Sequence, residues 1–314
     1  MPGSTASGWP FTEETAPAAA GPLPKLSVVV PSFNQGRYLE EGLRSILLQG
    51  YPDLELIVMD GGSSDETVAV LRKYEPWIAH WVSAPDRGQS SAINAGFRRA
   101  TGDICAWLCC DDRYLPGALI RAGTNFANDA QCEWLAGSGR LVFQSGRVGV
   151  MRSRIDSVAE MLEFWRYGGE CFVFQPSTFW RRRLWLAAGG VREDLHMTMD
   201  YDLWLRFAER TRLHSVDDVF SVALRESGGK TFEHRDRQLR ERMRSAYEFA
   251  TSRGATRRAL TLGLLRWYVV GRLRRGADHL TQGRFAAVLE ELGRLLAAPA
   301  RAMHERGRLA MITH

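Results

Sequence analysis

Residues 104–116 read ICAWLCCDDRYLP, an apolar run that stops at two adjacent carboxylates, Asp111 and Asp112. A short continuous apolar run bounded by polar residues reads as a buried strand of a parallel sheet. Acidic side chains at the end of such a strand stand where an open sheet presents its ligand crevice. Neighbouring carboxylates repel each other. A divalent cation beside them removes that cost, because hard cations take carboxylate oxygens and leave room for phosphates. A plainer role is equally open to the pair, since Asp also favours the turn ahead of Pro116.

The same grammar repeats upstream. Residues 26–30 form a β-branched run closed by Pro31, and Leu39, Leu43, Ile46 and Leu47 follow at helical spacing. A second apolar run, 54–59, ends at Asp60. Gly61, Gly62, Ser63, Ser64 and Asp65 then make a loop whose backbone can approach a ligand, while Asp65 also suits the cap of a helix over 66–74. Residues 77–83 read as a third strand, 84–89 as a loop, 90–100 as a helix, 103–108 as a fourth strand and 116–128 as another helix. Such strand-to-helix repetition predicts an α/β fold, a single Rossmann-like, mostly parallel sheet flanked by helices. Neither GxGxxG nor GxxxxGK[ST] occurs, which disfavours an ordinary nicotinamide or P-loop domain.

Downstream, 134–143 and 147–151 read as a hairpin about Ser145 and Gly146, and 157–167 is amphipathic. Residues 173–179 alternate around Pro176, as an edge or site-lining strand does. In MDYDLWLRF, 199–207, Asp200 stands at the expected start of a helix. It serves either as the N-cap, with Asp202 favoured by the helix dipole, or as a rigidly held general base. Residues 216–224 read as a strand, and the following RESGGKTF contains Lys230 in a basic loop, able to close over a charged ligand or simply to turn at the surface.

With 314 residues, 45% hydrophobic and 25% charged, the chain can bury a large core. Its net charge of +5 suits an anionic substrate or a membrane surface and is too small and dispersed for nucleic acid. Three of five Cys lie in or beside the 104–110 run, which points to reduced thiols and a cytoplasmic setting. The opening residues do not read as a signal peptide, and no run of 18 apolar residues appears, so neither secretion nor a membrane span is expected. Residues 1–24, rich in Pro, Ala, Gly, Ser and Thr, read as a flexible tail or a loose surface wrap, with Trp9 and Phe11 able to pin it locally. Residues 233–314 read as a C-terminal helical extension. Its Arg257, Arg258, Arg266, Arg272 and Arg274, interleaved with apolar residues, either lie peripherally on the inner face of an anionic membrane or face water from a packed helix.

Four stretches together, 25–67, 83–112, QPSTFWRRRLWLAAGG at 175–190 and MDYDLWLRFAE at 199–209, closely resemble glycosyltransferase family 2, whose members have the GT-A fold. The resemblance covers residues 25–232. It implies transfer of a sugar, with inversion, from a nucleotide diphosphate sugar of UDP, GDP or dTDP type to a hydroxyl of a glycan, lipid-linked or small-molecule acceptor. It assigns Pro31, Ser32, Phe33 and Asn34 to the first nucleotide loop and Asp60 to the nucleobase. Asp86, Arg87, Gly88 and Gln89 fall to the base or ribose, with Asn94 on the helix behind. Asp111 becomes the closer Mn²⁺ or Mg²⁺ ligand and Asp112 its accessory; Asp200 becomes the base, with Asp202 the nearby alternative, and Arg225, Lys230 and Thr231 form the late loop. Cys109, Met199 and Ser227 replace an acid, an acid and a His of the family pattern. Those departures motivate the alternative of a catalytically inactive nucleotide-sugar-binding protein. A nucleotidyltransferase is disfavoured, because PSFNQGRYL is no phosphate clamp.

Overall fold

The computed structural model describes residues 2–3, 6–15, 21–155, 157–162, 164, 173–225, 235–254 and 289. Met1–Leu162 and Cys171–Phe249 group into one compact unit. A second unit takes 163–170 and 250–314, nearly all of it outside the described residues.

The apolar runs become parallel strands. β1 (Leu26–Ser32), β2 (Leu54–Asp60), β3 (His80–Ser83) and β4 (Ile104–Trp107) pair in the order β3-β2-β1-β4. Helices α1 (Gly36–Leu47), α2 (Thr67–Tyr74) and α3 (Gln89–Arg99) form the crossovers. Strand side chains alternate between faces. Val28, Val30, Leu56, Val58 and Ala106 therefore share one core with Leu39, Leu43 and Ile46 of α1 and Leu71 of α2. Val29 and Met59 meet α3 on the other face, where a Cβ on Gly96 would stand 2.4 Å from Val29 Cγ1, so only glycine permits that approach. The third strand starts at His80 rather than 77 because Glu75–Trp77 first closes a 3-10 turn.

Beyond β4 the sheet departs from the mostly parallel expectation. The remaining strands are β5 (Asp112–Tyr114), β6 (Trp134–Phe143), β7 (Val148–Met151), β8 (Thr178–Arg181) and β9 (His214–Arg225). β8 lies antiparallel between β4 and β6, β6 runs parallel to β9, and β5 lies antiparallel to β9. β7 folds back on β6, since a short turn can join only antiparallel neighbours. The α/β layering holds, and its second half is mixed. The remaining described helices are α4 (Ala118–Asn128), α5 (Val158–Leu162), α6 (Arg182–Ala188), α7 (Met199–Ala208) and α8 (Arg235–Thr251), with a 3-10 turn at Gln175–Ser177 leading into β8.

An aromatic core fastens α7 to the sheet. Trp204 stacks on Trp107 at 5.7 Å with planes 5° apart and on Trp134 at 5.5 Å, while Trp180 meets Trp107 edge-on at 5.3 Å. Each such pair contributes about 0.5–1.5 kcal/mol beyond its buried area.

The described part of residues 1–24 makes hydrogen bonds to the fold, Trp9 among them. Trp9 Nε1 donates to the Tyr114 carbonyl at 2.8 Å. The buried Arg44 guanidinium donates to the carbonyls of Pro2 (2.9 Å), Pro10 (2.9 Å) and Phe11 (2.6 Å). A buried cation needs acceptors, and this segment supplies them. Residues 235–249 of α8, in the stretch read from sequence as a C-terminal helical extension, group with the main unit: Glu241 accepts from the His196 and Met197 N–H groups at 2.9 and 2.7 Å, and Glu248 pairs with Arg192 at 2.6 Å. The arginine-rich run beyond it, with its expected membrane contact, lies outside the described residues. No helix among the described residues is long and apolar enough to cross a membrane, and no disulfide joins the four described cysteines.

Glu55 ties the sheet's edge together, accepting from Ser27 Oγ at 2.5 Å and from Thr101 N–H and Oγ1 at 2.8 and 2.6 Å. Burial opposes its ionisation, but these bonds and Lys25 outweigh it and pull the carboxyl down to about 2 from an ordinary 4.5. A depressed carboxylate stabilises the fold above its unfolded pKa and loses that contribution as pH falls through the folded one. Glu55→Gln is expected to cost about 1 kcal/mol at neutral pH in thermal or urea unfolding. The deficit should shrink between pH 4.5 and about 2; a deficit independent of pH would count against this ionisation.

Candidate active site

Parallel pairing in register sets Ser32 opposite Asp60 and Asp60 opposite Ser83, so three strands end on one rim. Asp60 is buried there. Its Oδ2 accepts from Ser83 Oγ (2.6 Å) and from the N–H groups of Gly62 (3.2 Å) and Ser63 (2.9 Å), and Oδ1 accepts from Ser63 Oγ (2.5 Å). The carboxylate thus shapes the loop that follows β2. Asn34, at φ 51°, joins this loop to the one after β1, donating its N–H to Ser63 Oγ at 2.7 Å and accepting from Ser64 N–H at 2.9 Å. Pro31 and Ser32 are buried in β1, while Phe33 beside them is 61% exposed.

The loop after β3 abuts the loop after β2, since Asp86 Oδ1 would be 3.2 Å from a Cβ on Gly61. The same oxygen accepts from Gly88 N–H at 2.7 Å, and Gly88 takes φ 106°, which favours glycine. Arg87 pairs with Glu193 at 2.6 Å. Asn94 is engaged elsewhere, bonding the Val191 carbonyl (2.9 Å) and N–H (3.0 Å), and so anchors α3 to the segment ahead of α7.

The turn out of β4 is held by Leu108 N–H to the Val29 carbonyl and Asp112 N–H to the Cys109 carbonyl, both 3.0 Å. It brings ligand atoms of Cys109, Asp111 and Asp112 within 4.8 Å of one another. Asp112 is only 8% exposed. Burial first, and then the like charge of Asp111, push its carboxyl well above the usual range, against a smaller opposing pull from Arg225 at the end of β9. Among the described residues no group donates a hydrogen bond to it. An uncompensated buried carboxylate beside a second one fits a divalent cation, and the two Asp supply hard oxygens of the kind Mn²⁺ and Mg²⁺ take. Cys110 plays no part in that set: its Sγ donates to the Pro31 carbonyl at 3.4 Å, and burial pushes the thiol up to about 12. A shallow cleft lined by Tyr38, Glu41, Asp111, Asp112, Arg113 and Leu224 opens beside the pair.

Gln89 leads from this cluster to α7. Its Nε2 donates to Cys109 Sγ at 3.2 Å, and with Arg87, Glu193, His196 and Met199 it lines a second shallow cleft. α7 begins at Met199 with Thr198 at the N-cap, so Asp200 is the second helical residue and not the cap. Asp200 Oδ1 accepts from Tyr201 N–H at 2.7 Å. Asp202 is buried, accepts from Arg206 Nε and Nη2 at 3.0 and 2.7 Å, and has Arg192 at 3.6 Å. It is thus held in ion pairs. Lys230, Thr231 and Ser227 lie outside the described residues. Glu193 and His196 are not expected from the sequence, since nothing in local pattern links them to Arg87 far upstream.

Residues 27–186 match the family model for glycosyl transferase family 2. The chain is 40% identical over 101 residues to the GalNAc(5)-diNAcBac-PP-undecaprenol beta-1,3-glucosyltransferase of Campylobacter jejuni, covering 31% of this chain and 33% of that one. It is 32% identical over 187 residues to an uncharacterized glycosyltransferase of Mycobacterium tuberculosis, covering 59% and 69%. Across these and similar curated relatives the chain spans between 31% and 69% of their length. Among solved structures, Staphylococcus aureus TarS 1–349 in complex with UDP-GlcNAc superposes with TM-score 0.61 at 17% identity, over 87% of this chain and 81% of that one. Mannosyltransferase PcManGT from Pyrobaculum calidifontis, in complex with GDP-Man and Mn²⁺, superposes with TM-score 0.55 at 18% identity, over 95% and 83%. The fold is the GT-A architecture of these enzymes, and with the family model spanning half of its length this chain belongs to glycosyl transferase family 2.

Proposed function

We propose that the chain transfers a sugar, with inversion, from a nucleoside diphosphate sugar to an acceptor hydroxyl. The observation that carries this reading is the common rim: the exposed Phe33, the loops braced by Asp60 and Asp86, and the Asp111–Asp112 turn all stand at the carboxyl ends of β1 to β4. Phe33 offers an aromatic face to a nucleobase, and Asn34, Asp60, Asp86, Arg87, Gly88 and Gln89 hold or line the loops around it. Relatives of the same fold bind UDP-GlcNAc and GDP-Man, so either base class suits the donor. The undecaprenol-linked substrate in the name of the C. jejuni relative favours a lipid-linked or glycan acceptor.

Asp111 and Asp112 would hold the divalent cation, Mn²⁺ or Mg²⁺ in the simplest case. When bound, it neutralises charge that develops on the diphosphate leaving group. Arg225 adds positive charge from β9, and by sequence Lys230 is assigned the same role. Asp200, at the open first turn of α7, takes the acceptor's proton as the hydroxyl attacks the far face of the sugar. Asp202 keeps that helix in place through Arg206 and is not the base. A single displacement without a covalent enzyme intermediate inverts the anomeric centre.

Asp200→Asn is expected to lower kcat by about 10²–10⁴-fold while leaving donor affinity unchanged, read from nucleoside diphosphate release and from calorimetry. Full turnover in that variant with the true acceptor overturns the base assignment. Donor binding without glycosylated product for any acceptor, followed by mass spectrometry, would favour instead the non-catalytic binding protein that Met199 and Cys109 motivate.

Proton competition sets the pH response of the cation. Because the Asp112 carboxyl is raised, protons should displace Mn²⁺ as pH falls, starting above the ordinary carboxylate range. Asp111→Asn removes the like charge and should move that fall to lower pH even though it weakens binding. Mn²⁺ titrations across pH 4 to 8, about the range in which such carboxylates titrate, read both effects.

A further inference from the structure

Cys109 occupies a place where a third carboxylate would make an all-oxygen cation site. Its Sγ lies within 4.8 Å of carboxylate oxygens on both Asp111 and Asp112. The thiol is half-buried, and it accepts a hydrogen bond from Gln89 Nε2 at 3.2 Å, which holds the sulfur in one orientation from the first turn of α3. Asp112 supplies an independent sign of a cation-binding site, being 8% exposed with no hydrogen-bond donor among the described residues. Neighbouring Cys110 does not compete for this role, since its Sγ is directed to the Pro31 carbonyl.

We propose that Cys109 is a metal ligand and that its sulfur biases this site toward borderline, thiophilic divalent cations, Co²⁺ or Zn²⁺, over Mg²⁺. The inference rests on the cation reading of Asp111 and Asp112 above. Two hard oxygens alone favour Mg²⁺ or Mn²⁺, whereas one sulfur added to two oxygens shifts selectivity toward metals that bind thiolate. The sulfur coordinates as thiolate, its proton passing to solvent. Gln89 acts as a positioning residue through its amide, fixing the sulfur without touching the cation.

The test uses the full chain, stripped with chelator and titrated with Co²⁺ or Mg²⁺ alone, with no substrate or turnover required. The expected result is stoichiometric Co²⁺ binding with a sulfur-to-cobalt charge-transfer absorption. That band should vanish in Cys109→Ser and persist in Cys110→Ser, with circular dichroism confirming that each variant is folded. Cys109→Asp, a second route should the Ser variant fail to fold, should reverse the preference, lowering the Co²⁺ to Mg²⁺ affinity ratio by an order of magnitude. Co²⁺ binding without the band, or a band that survives in Cys109→Ser, overturns the thiol ligand while leaving the two-carboxylate site standing. Absence of binding by any cation, with nucleoside diphosphate also present, overturns both.

Discussion

Parallel pairing in register is the constraint from which the rest of this molecule follows. Leu26 aligned with Leu54 and with Ile104 obliges Ser32, Asp60 and the turn after Trp107 to emerge at the same edge of the sheet. Side chains there escape the two apolar cores because the strands have run out, and polar groups of distant sequence origin are thrown together. Slipping one strand by a single residue would turn Val28, Val30 and their neighbours toward the wrong layer. The site therefore inherits its geometry from the packing of aliphatic residues that take no part in chemistry.

The charge at that edge is less comfortable than the packing beneath it. Asp60 is satisfied within its own loops, and Asp202 within its pairing to Arg206. Among the described residues Asp112 has no such relief, with Asp111 beside it and only the opposing pull of Arg225. Removing a carboxylate from water without a partner is costly, and a divalent cation of the kind proposed for this site would offset that cost. α7 illustrates the opposite situation: stacked tryptophans and the Asp202 ion pair hold it firmly, so that Asp200 one turn earlier is presented on a rigid mount.

Much of this was legible in the chain. The β-branched runs, the Pro and Gly that close them and the helical spacing between them lead directly to β1 through β4 and their crossovers, because each is a local pattern with its own periodicity. The short β5 was not legible: Asp112, Arg113 and Tyr114 form a strand only because β9, over a hundred residues later, lies alongside. Strand order beyond β4 shares that difficulty, being decided by long-range pairing. The tie between Asp202 and Arg206 sits at i,i+4 and was open to reading, whereas the links from Gln89 to Cys109 and from Arg87 to Glu193 exist only in three dimensions. Motif resemblance suggested the roles proposed for Asp111 and Asp200; periodicity alone left each of them with a structural alternative.

At the N-terminus composition left a tail and a surface wrap equally open. Arg44 supplies the contacts that composition does not show. Its guanidinium sits inside the fold, and the backbone carbonyls that accept its protons belong to Pro2, Pro10 and Phe11, with the Tyr74 hydroxyl as a further partner at 3.0 Å. Trimming a recombinant version to the first β-strand would strip a buried cation of most of its acceptors, although the family motifs begin only there. The folded unit thus extends upstream of its recognisable signature, and an affinity tag is better attached elsewhere than in place of these residues.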